Sequence, residues 1–223
     1  MKQRQQSRGR ANRRKAVIFD FDGTIADSFV YVLNFLKAEA GNMQTYSIAE
    51  QKTLRQMSMK RLALHIGVPV WRLPLVYFKG RRVMRAHMEH VQPFAGMPQV
   101  IAELHAAGYQ LFIASANSGK NIRHLLKGQG LDHYFKAIRG GSGYTGKASF
   151  IRQMLIRYRL SKDLTWYVGD ETSDVVAASA AGVRCLAVTW GFADPKSLKE
   201  MEPEGLASKP ADIVRIVDDS WKK

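Results

Sequence analysis

Strand-like and helix-like segments alternate along most of this chain, and the alternation breaks once. "AVIFD" at residue 16, "YQLFIAS", "YFKAIRG", "LTWYVGD" and "VRCLAVTW" read as short apolar strands. Between the later ones lie helical patterns of about ten residues: "QVIAELHAAG", "GKNIRHLLKGQG", "KASFIRQMLIRYR" and "SDVVAASAAG". A last helix is expected over 209–220. Strands joined by helices of that length form a parallel sheet with helices on both faces. The break is early. Residues 26–40 and 47–91 carry helical spacing only, with Ser47 and Ser58 suited to N-caps. The expected fold is therefore α/β, a Rossmann-like parallel sheet core with an inserted all-helical cap domain. The divisions fall at a basic flexible tail (1–15), a core (16–26 and 93–223) and a cap (27–92).

In open parallel sheets, ligands bind outside the carboxyl ends of the strands. Four strand ends here carry polar groups. The first ends in Asp20 and Asp22, the second in Ser115 with Asn117 nearby. A glycine-rich loop, "GGSGYTGK", sets Lys147 at a helix start, and "LTWYVGD" ends in Asp170, followed by Glu171 and Asp174. Clustered carboxylates repel and need a cation, and an all-oxygen donor set favours Mg²⁺ over zinc. A lysine at a helix N-terminus opposes the helix dipole unless an anion or carboxylate is near, and phosphate is the natural anion there. A carboxylate can attack phosphorus, and a second one two residues on can deliver a proton to the leaving oxygen.

Charge is unevenly spread. The net charge is +15, of which residues 1–15 carry +7 and residues 29–92 another +7, leaving +1 for the rest. A basic tail of this kind can meet nucleic acid or an anionic surface, or simply stay solvated. No apolar run reaches the roughly 18 residues of a membrane span, and no apolar stretch follows the basic start as in a secretory signal. The single cysteine, Cys185, forms no internal disulfide and sits in an apolar run as a buried small hydrophobe. A cytoplasmic setting is expected.

"DFDGT" (20–24), Ser115, Lys147 and "GDETSD" (169–174) stand in the order and strand context of the four motifs of the haloacid dehalogenase superfamily. Within it the chain resembles the phosphoglycolate-phosphatase-like subgroup through "FDFDGTIADS", "LRQMSMKRLALHIGV", "YVGDETSD" and "AVTWGF". The resemblance covers about residues 16–215. It implies a Mg²⁺-dependent phosphomonoester hydrolase that works through an aspartyl-phosphate on a small anionic metabolite. It makes Asp20 the nucleophile and Asp22 the general acid and then base. The metal would be held by the Asp20 carboxylate, the Asp22 carbonyl and Asp170, with Asp174 supporting the metal or Lys147. Ser115 and Lys147 would bind the phosphoryl oxygens, helped by backbone N–H groups around Phe21, Gly23 and Ala116, with Asn117 beside them. The cap would exclude water, and its Arg55 and Lys60 would contact the substrate body.

Departures leave alternatives open. "ASA" at 114–116 also occurs in the related β-phosphoglucomutases, so a phosphosugar mutase is one alternative. Those enzymes usually carry Glu-Asp where this chain has Gly169-Asp170, which favours hydrolysis. Gln56 stands where glycine is common, so the turn around it is unsettled. The second alternative is a nucleic-acid-associated protein that uses the basic tail and cap. Glu171 is expected to face solvent, and Trp166, Trp190 and Phe192 to be packing residues. The oligomeric state is open.

Overall fold

The computed structural model describes residues 15–76, 78–80, 90–141 and 146–220. All of the tail (1–15) but Lys15, the arginines at 81, 82 and 85, and the middle of the glycine-rich loop lie outside the described residues. The expected contacts of the tail with nucleic acid therefore fall there too.

Six parallel strands form the sheet. They are β1 (Ala16–Phe19), β4 (Gln110–Ser115), β5 (Phe135–Gly140), β6 (Thr165–Gly169), β7 (Arg184–Val188) and β8 (Gly205–Ala207), in the order β5-β4-β1-β6-β7-β8. β1 is central, pairing with β4 through Ala16–Gln110 to Phe19–Ile113 and with β6 through Ala16–Thr165 to Phe19–Val168. The chain runs outward one way to β5 and the other way to β8, so the switch point lies at the carboxyl ends of β1, β4 and β6.

Side chains alternate across the sheet with period two, and both faces are buried. Val17, Phe19, Leu111, Ile113, Trp166 and Val168 pack on one face against α4 (Met97–Ala106), α5 (Gly119–Gly128) and α9 (Ala211–Asp219). Ile18, Phe112, Ala114, Tyr167 and Cys185 pack on the other against α6 (Lys147–Tyr158), α7 (Thr172–Ala181) and α8 (Pro195–Glu200). Trp166 is a packing residue, as expected. The sequence pattern did not show β8 or α8, each only three to six residues long and too short for a period to register.

The helical insertion enters and leaves through a two-stranded antiparallel ribbon. β2 (Ala26–Asp27) pairs with β3 (Gln92–Pro93) through Ala26–Pro93 and Asp27–Gln92. The inserted elements are α1 (Phe29–Ala40), α2 (Ile48–Arg55), α3 (Met59–Ile66), a 3₁₀ turn at Val70–Arg72 and helical residues 73–76 and 78–80. Ser47 caps α2 in a reciprocal box with Glu50, each side chain meeting the other's backbone N–H. Ser58 accepts from the Arg61 N–H at the start of α3. The insertion has its own core of Phe29, Leu33, Leu36, Leu54, Leu62 and Ile66, and Phe192 from the α/β body joins it. Among the described residues no helix is long and apolar enough to cross a membrane.

Candidate active site

The crevice forms where β1, β4 and β6 end. Asp20 follows β1 and is buried; its Oδ1 accepts from the Phe21 N–H at 2.7 Å. The chain then folds into a tight loop, with the N–H groups of Ile25 and Ala26 both donating to the Phe21 carbonyl. Gly23 makes this loop feasible. Its φ is +77°, and a Cβ there would overlap the Asp170 carboxylate.

Lys147, the first residue of α6, is buried. Its Nζ donates to Asp20 Oδ2 and to Asp174 Oδ1, at 2.5 Å each. The two carboxylates answer the unfavourable helix-dipole position. Burial alone would push this ammonium's pKa down. Asp174 and Asp20 outweigh burial and hold it well above the ordinary lysine value.

Asp174 supports Lys147, as the resemblance implies, and also serves the start of α7. Its Oδ2 accepts from the Glu171 N–H at the start of α7, as a helix-start carboxylate does. Its Oδ1 accepts from Lys147 and, at 3.1 Å, from the Tyr167 hydroxyl. Tyr167 is a site residue that sequence reasoning missed. Its side chain alternates into the apolar face of β6, and nothing in that pattern marks a hydroxyl reaching back to the strand ends.

Asp170 is gripped from two sides. Thr24 Oγ1 donates to Oδ1 and the Phe192 N–H to Oδ2, both at 2.8 Å. Gly191 has no room for a Cβ against the same carboxylate. Oxygens of Asp20, Asp170 and Asp174 lie within 4.8 Å of one another, all buried. Burial, and then the neighbouring carboxylates, push Asp170 well above the usual carboxylate range. Burial also raises Asp20, to about 7, although Lys147 pulls it back. Such a set is unfavourable without a cation, and its donors are all oxygen.

Asp22 stands apart from that cluster. Asn117 Nδ2 donates to its Oδ2 at 2.8 Å, and its Oδ1 is buried with no hydrogen-bond partner. Burial raises its pKa; Ser28 and Asn117 oppose the shift without cancelling it. Asn117, expected at the substrate, is thus spent largely on Asp22. Its own Oδ1 accepts from the Ser118 N–H and from Asn121 Nδ2, which fixes the amide. Ser115 is buried at the end of β4, where its Oγ accepts from the Asn117 N–H at 3.2 Å.

These residues share one cavity of about 330 Å³, whose floor holds Asp20, Asp22, Ser115, Ala116, Asn117 and Lys147. Gly23 lies beneath that floor, buried against Asp170. Lys60 reaches the cavity from α3. Arg55, expected at the substrate body, is not among the residues that line it. Its guanidinium instead pairs with Asp27 of β2 and lies over the Phe29 ring. Glu171, expected to face solvent, is half-buried and lines the cavity, as does Phe192.

The family model for haloacid dehalogenase-like hydrolases matches residues 17–188. The chain belongs to this family. Within it, the chain is similar to a phosphoglycolate phosphatase of Synechococcus elongatus, at 33% identity over 91% of this chain and 97% of the relative. It is also similar to a 5'-nucleotidase of Pseudomonas aeruginosa, at 25% identity over 91% and 95%. Among solved structures, a haloacid dehalogenase-like hydrolase from Streptococcus pneumoniae superimposes with a TM-score of 0.74 at 23% identity, covering 91% of this chain and 97% of that one. That last likeness is one of fold. It extends over most of the chain described above.

Proposed function

We propose that this haloacid dehalogenase-family protein is a Mg²⁺-dependent phosphoric monoester hydrolase acting on a small phosphorylated molecule. The observation that carries the reading is the meeting of Asp20, Asp22, Ser115 and Lys147 on one cavity floor, with Asp170 directly beneath. The named activities of the relatives, a phosphoglycolate phosphatase and a 5'-nucleotidase, are both phosphomonoester hydrolyses.

Asp20 attacks phosphorus. Lys147 on Oδ2 and the Phe21 N–H on Oδ1 hold the carboxylate in place. A new Asp20 O–P bond forms as the ester O–P bond breaks. Asp22 gives its proton to the leaving oxygen, and its raised pKa suits an acid that must arrive protonated. Asn117 fixes the Asp22 carboxyl by donating to its Oδ2. In the second half, Asp22 takes a proton from water, the hydroxide attacks the aspartyl-phosphate, and phosphate leaves. Ser115, Lys147 and the backbone N–H groups near Gly23 and Ala116 bind the phosphoryl oxygens.

Asp20, Asp170 and the Asp22 carbonyl would hold Mg²⁺, with Asp174 kept for Lys147 by its three hydrogen bonds. The metal supplies charge neutralisation between the carboxylates and the phosphoryl group. The insertion, residues 27–92, acts as the cap that keeps bulk water out until hydrolysis. The single buried cysteine accords with a cytoplasmic enzyme. The test is release of p-nitrophenol from p-nitrophenyl phosphate. Turnover should need Mg²⁺ and vanish in Asp20→Asn; full activity in that variant would sink the mechanism.

A further inference from the structure

The far end of the cavity has a chemistry unlike its floor. Three inserted helical segments turn apolar rows toward it: Val32, Phe35 and Leu36 from α1, Met59 and Ala63 from α3, and Val76 from the segment after Pro74. Val32, Phe35 and Met59 are only half-buried, so part of each faces the cavity without a protein partner. Gly80 leaves room for this wall, since a Cβ there would meet the Phe35 ring at 2.9 Å. Among the described lining residues, the insertion contributes one charged group, Lys60, and it is exposed. Glu171, a carboxylate, lines the same cavity, and the Ser173 hydroxyl donates to it at 3.3 Å.

A phosphoester with a second acid or with several hydroxyls would meet a poor reception here. Its polar groups would leave water for a wall of mostly methyl, aryl and thioether groups, where among the described residues only Lys60, Glu171 and Ser173 could replace the lost hydrogen bonds. A second carboxylate would also face Glu171. An apolar body would gain by covering the open sides of Val32, Phe35 and Met59. The volume is at the small end of ligand pockets, enough for a phosphoryl group and about one ring or a short chain.

We infer that the substrate is a small aryl or alkyl phosphomonoester, its organic body seated on Val32, Phe35 and Met59. The inference rests on the hydrolase reading for the position of the phosphoryl group, and on the cavity wall for the rest. It separates this chain from a preference for phosphoglycolate, whose second carboxylate would meet no buried cation on the described part of the apolar wall, Lys147 being on the floor with the phosphoryl group.

The test compares two non-hydrolysable ligands by calorimetry in Mg²⁺, hexylphosphonate and 3-phosphonopropionate, alongside phosphate release from phenyl phosphate and phosphoglycolate. Hexylphosphonate should bind at least tenfold more tightly. Val32→Thr and Met59→Gln, each close in volume to the original, should cut that ratio at least threefold in protein shown to be folded by its melting curve. Equal binding, or tighter binding of 3-phosphonopropionate, overturns the inference, whatever the turnover. If no ester is hydrolysed but hexylphosphonate still wins, the inference on the pocket stands and the hydrolase reading falls. If both esters are hydrolysed and the polar ligand wins, the hydrolase reading stands alone.

Discussion

Arg55 at the end of α2 holds Asp27 at the point where the chain crosses from the α/β body into the insertion, through two N–H donors at 2.7 and 3.3 Å. The guanidinium also lies over Phe29, 4.6 Å from the ring centre, and 6.0 Å from that of Phe94 beyond the returning strand. One side chain thus touches the outgoing linker, the first inserted helix and the segment just past the returning linker. The two partners' side chains are 25% and 37% exposed, so the pair is partly screened. With the ring contact added, Arg55→Ala should destabilise by about 1 kcal/mol. A double-mutant cycle with Asp27→Ala, read by urea denaturation, should give a positive coupling energy. Strict additivity would mean that the contact carries no stability.

Lys147 and Asp174 form the most deeply buried ion pair described. Lys147→Met leaves Asp20 and Asp174 as adjacent buried carboxylates without their cation. Breaking such a pair on one side is strongly destabilising, about 3–5 kcal/mol. Lys147 also lowers the pKa of Asp20, so its loss moves Asp20 further up. The acid limb of the kcat–pH profile should shift to higher pH in any activity that remains. A variant with unchanged stability and an unmoved acid limb would contradict the arrangement.

Much of this floor was legible in the sequence. Each of Asp20, Ser115, Lys147 and Asp170 follows or begins a segment with a clear period, so strand order alone brings them together. Residues that act through another group carried no such mark. Asn117 holds Asp22, and Tyr167 holds Asp174, through side-chain geometry that spans 95 and seven positions in sequence. The cap was harder still. Its charge suggested a basic wall over the substrate, but charge counted along a helix does not say which face turns inward. Arg55 turned to Asp27, Lys60 reached only the exposed edge of the cavity, and the apolar rows of α1 and α3 took the rest of its wall.

Metal binding should depend on pH with a definite sign. Burial raises Asp20 from 3.8 to about 7 in the absence of a cation. A carboxyl with a raised folded-state pKa favours the fold below its unfolded pKa, and that contribution is lost as pH rises through the folded value. Between about pH 4 and 7 the metal-free protein should therefore lose stability from this group. Asp170, also raised by burial, adds in the same direction. A Mg²⁺ ion held by these carboxylates would favour their ionised forms, so its stabilisation should grow over the same window. Differential scanning fluorimetry with EDTA and with Mg²⁺ should show a larger melting-temperature gain at pH 8 than at pH 5.5. A gain that is equal at both, or larger at pH 5.5, would be the wrong sign.

Gly23 joins the loop after β1 to the carboxylate after β6, and alanine there should fail for two reasons. Its φ of +77° lies in the left-handed region, which disfavours a side chain by about 1 kcal/mol. The added Cβ would also overlap the Asp170 carboxyl group, which Thr24 and the Phe192 N–H hold from either side and which cannot easily swing away. Gly23→Ala should therefore displace Asp170 rather than merely strain the loop. Its loss of Mg²⁺ affinity should exceed its loss of stability: at least tenfold weaker binding by calorimetry, against about 1–3 kcal/mol in urea denaturation. Gly182→Ala is the control. It has a similar φ of +73° at the end of α7, where the nearest obstacle is the flexible Lys162 side chain. It should lose comparable stability and keep its Mg²⁺ affinity. If both variants lose affinity alike, strain alone explains the effect and the contact between Gly23 and Asp170 does not.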